Sequence, residues 1–164
     1  MTYRPDSNVK WIVLHYSATA IEREYTYAQL EADHKAVGFR EGGYHVYFPR
    51  KGGRVNGRDL SQPGRFETGA HSKGENAQSV GGCFEGGLTI HDMETGRDTR
   101  TPAQTEEVIA WIDEMLARFP GAKVTGHRDM PGAETQCPGF DATAWWEGVV
   151  RARKAPKAPP VPAQ

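Results

Sequence analysis

Two cysteines in 164 residues are too few to staple a small secreted scaffold. In a reducing compartment a structural disulfide between Cys83 and Cys137 is not expected, so each thiol needs its own explanation. Excess charge of one sign is also missing, because 20 basic side chains face 21 acidic ones. That balance removes the bulk electrostatic case for nucleic acid or an anionic membrane, and partners must be argued from a site. The apolar run near the N-terminus, Trp11 to Leu14, is too short and too polar at its edges for a signal segment or a membrane span. A chain made in the cytoplasm, with no signal peptide and no membrane insertion, is the expectation. Internal repeats and a Gly-rich phosphate fingerprint are absent as well.

What is there suits one domain: enough apolar residues, four tryptophans among them, to fill one core, on a chain too short for two. KWIVLHY (10–16) is β-branched and aromatic with polar flanks, the pattern of a buried strand with His15 near its end. Tyr27, Leu30 and Val37 keep helical spacing, with His34 on the same stripe and Gly38 at the stop. YHVYFPR (44–50) and RVNGRDL (54–60), joined by KGG, read as a hairpin whose first strand opens at Tyr44. Residues 61–78 lack periodicity and read as a long surface connection. SVGGCFEGGLTI (79–90) reads as one strand, with Gly81 and Gly82 marking a bulge or a close approach of another backbone. Thr101-Pro102-Ala103-Gln104 is a helix start with cap, proline and returning glutamine, and that helix ends at Pro120-Gly121. AKVTG (122–126) is a short strand, and Asp141 caps a last helix that buries Trp145, Trp146, Val149 and Val150. Strands alternating with helices predict an α/β single domain over residues 1–150, a mixed central β-sheet flanked by helices. Residues 151–164, basic and proline-rich without an acidic side chain, are expected to form a disordered tail.

The stretch HRDMPGAETQCPGFD (127–141) sets a histidine and a cysteine on a proline-braced loop that neither helix nor central strand can traverse. Zinc takes imidazole and thiolate ligands, and a catalytic zinc keeps three protein ligands. His15 and His127 each close an apolar strand, and parallel strands carry their sites at their C-terminal ends. If those strands are neighbours, Cys137 completes a His-His-Cys triad. Spacing alone leaves two alternatives open: hydrogen-bonded structural histidines, and a cysteine buried as a small hydrophobe.

WIVLHYSAT, GYHVYF, GAHSKGENAQSVGGCFEGG and VTGHRDMPGAETQCPGFD, in that order, resemble the type 2 N-acetylmuramoyl-L-alanine amidases. That zinc-dependent family includes short phage lysozymes and shares its fold with animal peptidoglycan recognition proteins. The resemblance covers Trp11 to Trp146. It implies Zn2+ held by His15, His127 and Cys137, and Tyr44 as the catalytic tyrosine. Where the best-known phage members carry a catalytic lysine this chain has Thr135, as amidase-active recognition proteins do. Some bacterial amidases of this fold use a glutamate on the SVGG-type strand. Here that position is Cys83, and Glu85, two residues on, is expected to be solvated or structural.

The implied reaction is hydrolysis of the amide joining N-acetylmuramic acid to L-alanine in peptidoglycan, by a phage or prophage endolysin that reaches the wall after release. Tyr44 and Thr135 are expected as donors to the reacting group, and His71, His34 and Lys73 as substrate contacts on the glycan and peptide groove. Arg58 is a candidate for stem-peptide carboxylates, and Asp129 for orienting a ligand imidazole or capping the loop. His45 should face away from Tyr44, and His91 has no expected partner. A monomer is expected. Alternatives are a non-lytic recognition module, which commonly lacks the cysteine, and a cytoplasmic muropeptide-recycling amidase. Binding to the host RNA polymerase, a property of some phage amidases, is left open.

Overall fold

The computed structural model describes residues 1–156 and 161–162; the rest of the expected tail, 157–160 and 163–164, lies outside the described residues. In chain order come β1 (Tyr3–Pro5), β2 (Trp11–Tyr16), β3 (Thr19–Ala20), α1 (Tyr27–Ala36), β4 (Val46–Phe48), β5 (Val55–Asn56) and β6 (Arg65–Glu67). Then follow β7 (Ser79–Phe84), β8 (Gly87–Leu88), α2 (Pro102–Arg118), β9 (Lys123–Gly126) and α3 (Ala142–Lys154). The main sheet has the order β5-β4-β7-β2-β9. The three pairings among β4, β7, β2 and β9 are parallel, and only the edge strand β5 runs antiparallel. This is the mixed sheet expected.

Strands covered on both faces carry apolar residues at consecutive positions rather than alternating ones. Ile12, Val13, Leu14 and His15 of β2 are all buried, as are all six residues of β7. One face packs Ile12, Leu14, Val80 and Phe84 against Val108, Trp111 and Ile112 of α2 and Trp146 of α3. The opposite face carries a smaller cluster, Leu30 of α1 with Tyr47 and Cys83, bordered by Tyr25, Tyr27 and Tyr44. The second face is the one that holds the site.

Local signals placed the helices. Thr26 and Thr101 each form a reciprocal capping box, with Gln29 and Gln104. Gly38 takes φ +104° after α1, a backbone state that costs glycine little. Gln104 also reaches beyond its cap. Fully buried, it donates from Nε2 to the Phe48 and Glu85 carbonyls, each at 2.9 Å, and so ties the start of α2 to the sheet.

Four expectations are corrected. The hairpin's first strand starts at Val46, leaving Tyr44 in the preceding loop. The 79–90 segment is two strands, because Gly86 and Gly87 at φ +123° and +101° turn the chain out of the main sheet to pair β8 with β3. The 61–78 connection is not wholly superficial: β6 pairs with β1, and Phe66, Glu67, His71 and Ser72 are buried. Helix α3 continues past residue 150 to Lys154, held there by Arg153, which pairs bidentately with Asp113 of α2 at 2.8 and 2.9 Å and lies over Trp146. Among the described residues no helix is long and apolar enough to cross a membrane.

Candidate metal centre and its cavity

The sheet register assembles the site. Strand β2 lies between β7 and β9, with His15 opposite Cys83 and Leu14 opposite Gly126. The next residue after each of the latter two is a histidine, so His15 and His127 emerge side by side, ring centroids 4.7 Å apart. Cys137 is returned to them by its loop. The Arg128 amide donates to the Cys137 carbonyl at 2.8 Å, and Met130 is buried as an anchor. Gly126 makes room for Pro138, since a Cβ there would sit 2.7 Å from Pro138 Cδ.

The three ligand atoms lie within 4.8 Å of one another. Cys137 Sγ is 3.7 Å from His15 Nδ1, close to the ~3.6 Å separation that a nitrogen and a sulfur take on one tetrahedral zinc. Burial holds the His15 imidazole well below its ordinary value, and lowers that of His127. Both rings are therefore neutral at physiological pH and can offer a lone pair. Burial pushes the Cys137 thiol up to about 12, although the Tyr16 amide donates to its sulfur at 3.3 Å. A thiolate at this position needs a cation beside it. Two neutral imidazoles and one such thiol are a donor set that fits zinc.

Tyr44 stands over this centre, its ring 5.0 Å from that of His15 and 5.6 Å from that of His34. Burial first, then the Cys83 and Cys137 thiols, keep its phenol well above the usual range, so it remains a proton-bearing donor. Thr135 is exposed and its Oγ1 accepts the Cys137 amide at 3.1 Å, shaping the turn that presents the thiol. A cavity of about 570 Å³ opens beside the centre, walled by His34, Phe39, Tyr44, His71, Lys73 and His127. His34 Nδ1 accepts the Gly43 amide at 3.0 Å, which fixes its ring against Phe39. Lys73 is exposed on the cavity wall. The structure thus brings together His15, His127, Cys137, Tyr44 and His71, with His34 and Lys73 around the cavity.

The remaining candidates are placed elsewhere. Glu85 is buried, its carboxylate accepting the Tyr25 and Arg50 amides at 2.8 and 2.9 Å, a structural role. Arg58 donates to the Gly42 and Thr68 carbonyls and pairs with Glu41 and Glu67, so it is already engaged. Asp129 is exposed and makes no side-chain hydrogen bond among the described residues. His45 is buried, Nε2 against the Glu67 carbonyl at 2.7 Å and Nδ1 accepting the Gly81 amide at 3.0 Å. His91 is exposed. Sequence reasoning did not foresee that His71 is buried with Nδ1 2.9 Å from His15 Nε2. The one signal was Gly81, read as a close approach: it is a side chain that approaches, the His71 ring, 2.7 Å from where a Cβ would be.

With this geometry in place, comparison with known proteins is informative. The family model for N-acetylmuramoyl-L-alanine amidase matches residues 5–140. The chain is 32% identical to the endolysin of Enterobacteria phage T3 over 145 residues, covering 88% of this chain and 90% of that protein. It is 33% identical to the endolysin of Escherichia phage T7 over 136 residues, 83% and 84% of the two chains. Among solved structures, the N-acetylmuramoyl-L-alanine amidase LysC from Clostridium intestinale aligns with a TM-score of 0.70 at 24% identity, over 93% of this chain and 91% of that one. Drosophila PGRP-LB aligns with a TM-score of 0.66 at 21% identity, over 87% and 85%. At such identities the structural likenesses establish the shared fold.

Proposed function

The chain belongs to the N-acetylmuramoyl-L-alanine amidase family, and from that premise we propose that His15, His127 and Cys137 hold a zinc ion beside the cavity that receives peptidoglycan. The protein is a peptidoglycan amidase of the endolysin kind, which hydrolyses the amide between N-acetylmuramic acid and L-alanine. The observation that carries the zinc reading is the convergence, within 4.8 Å, of ligand atoms from three residues far apart in sequence. Bound by three protein ligands, zinc supplies Lewis acidity and lowers the pKa of water towards ~7.

The chain's own groups do the rest. Tyr44 keeps its proton and donates a hydrogen bond to the oxyanion that develops as the amide carbonyl is attacked. Thr135 Oγ1 accepts the Cys137 amide and leaves its own proton free, a second and neutral donor where other family members use lysine. His34 and Lys73 contact the substrate along the cavity wall, Lys73 facing the acidic stem peptide. The enzyme acts as a monomer, on the cell wall, after release from the cytoplasm that makes it.

The test is to incubate the protein with sacculi, with and without a chelator, and to identify the new ends. New alanine amino termini that vanish with the chelator and in Cys137→Ser are the expected result; new reducing sugar ends reject the reading. A preference for soluble anhydro-muropeptides over sacculi would favour wall recycling instead, and a pull-down with host polymerase tests the regulatory role some relatives in the family have.

A further inference from the structure

The polar contacts behind His15 run in one direction only. Ser79 Oγ lies 2.8 Å from the Glu75 carbonyl and 3.4 Å from His71 Nε2. A carbonyl can only accept, so the one hydroxyl proton of Ser79 goes to Glu75, and the serine oxygen can only accept from His71. His71 therefore carries its proton on Nε2 and presents the Nδ1 lone pair. That lone pair meets His15 Nε2 at 2.9 Å, which must then bear the His15 proton. The other nitrogen of His15, Nδ1, is left without a proton. It is the atom 3.7 Å from Cys137 Sγ.

The fold has made space for this arrangement. Gly69 and Gly81 flank the His71 ring, and a Cβ on either would lie 2.7 Å from a ring atom. The ring meets that of His15 edge-on at 5.0 Å. Asn76 Oδ1 accepts both the His71 and Ser72 amides, at 2.9 and 2.8 Å, and so holds the backbone that delivers His71.

We propose that His71 is a positioning residue: it fixes His15 as the tautomer protonated on Nε2, so that the Nδ1 lone pair points at the metal position beside Cys137. A ligand histidine commonly donates its distal N–H to a carboxylate or carbonyl, which sets its tautomer and raises its basicity. Here a second imidazole takes that part, relayed through a serine hydroxyl to a main-chain carbonyl. This rests on the zinc reading above, and it assigns His71 a role other than touching substrate.

The experiment has two readouts besides activity. In the metal-free wild type, labelled with ¹⁵N, the ring nitrogens of His15 are expected to show the proton on Nε2. Zinc affinity is then measured by competition with a chromophoric chelator. His71→Leu, which has no acceptor, is expected to bind zinc roughly 10–100-fold more weakly, with little change in KM. His71→Asn sets an amide oxygen near the place of Nδ1 and is expected to recover most of the loss. A proton on Nδ1 of His15 in the wild type overturns the proposal, and so does His71→Leu binding zinc like the wild type while its KM rises. Should His71→Leu fail to fold, the wild-type spectrum alone decides. The amidase reading fails separately, if zinc-loaded wild type frees no alanine amino termini.

Discussion

Adding one methyl group to Gly81 tests how the centre is built. Its Cβ would lie 2.7 Å from Cγ and Nδ1 of His71 and 2.9 Å from Cδ2, against the ~3.5–4.0 Å of a normal carbon contact. The strand cannot yield, because β7 is paired on both sides and both backbone groups of Gly81 are bonded to His45. The ring must retreat by roughly 0.8 Å, which stretches the 2.9 Å bond to His15 past hydrogen-bonding distance. Overpacking costs ~1–3 kcal/mol and the lost bond ~0.5–1.5, about 2–4 kcal/mol together. On a domain of this size that lowers Tm by on the order of 5–15 °C. Gly148→Ala is the matched control. It lies inside α3, where a Cβ meets nothing closer than Arg151 at 3.8 Å, so the same substitution should stabilise by ~0.5–1 kcal/mol. Thermal melts of the metal-free proteins and zinc competition read both. Gly81→Ala melting within about a degree of wild type and binding zinc equally would refute the reasoning.

Tyr44→Phe should lower kcat by roughly 10²–10³ while zinc content and Tm stay near wild type; a variant of full activity removes the phenol from the reaction. Gln104→Ala deletes the Thr101 cap bond and leaves the buried Glu85 carbonyl without a donor, while the Phe48 carbonyl keeps only the Glu85 amide, so the urea midpoint should report a loss of about 2–4 kcal/mol. His45 is held neutral by burial, its pKa lowered to about 4, although the Glu67 carbonyl favours the charged ring. The unfolded chain protonates at the ordinary 6.5 and so binds more protons between those values. Stability is then complete above pH 6.5 and falls as pH drops towards 4, by about 3 kcal/mol from this group. Urea titrations across pH 4–7 that stay flat would contradict a buried neutral imidazole.

Much of this was legible in one dimension. Caps, stops and turn glycines act through neighbours a few residues away, which is why Gly38, Thr101 and Asp141 mark helix ends in the sequence itself. The ligand types were legible too. A cysteine and a histidine on a proline-braced loop ask for a partner beyond the chain's own packing, and the four quoted blocks pointed to the family that supplies one.

Side-chain partners across the sheet were not legible, because pairing order depends on which strands lie together after the chain has crossed over. Nothing near residue 15 says that β9 will lie on one side of β2 and β7 on the other, nor that the register will set His127 beside His15. The burial of Glu85 and the reach of Gln104 into the sheet follow from that same stacking of α2 on β4 and β7. So does the seat of His71. Sequence alone determined which residues could hold a metal and where the helices begin. Only the tertiary structure decided which nitrogen of His15 is free to bind it, because that depends on hydrogen-bond partners brought from 56 residues away.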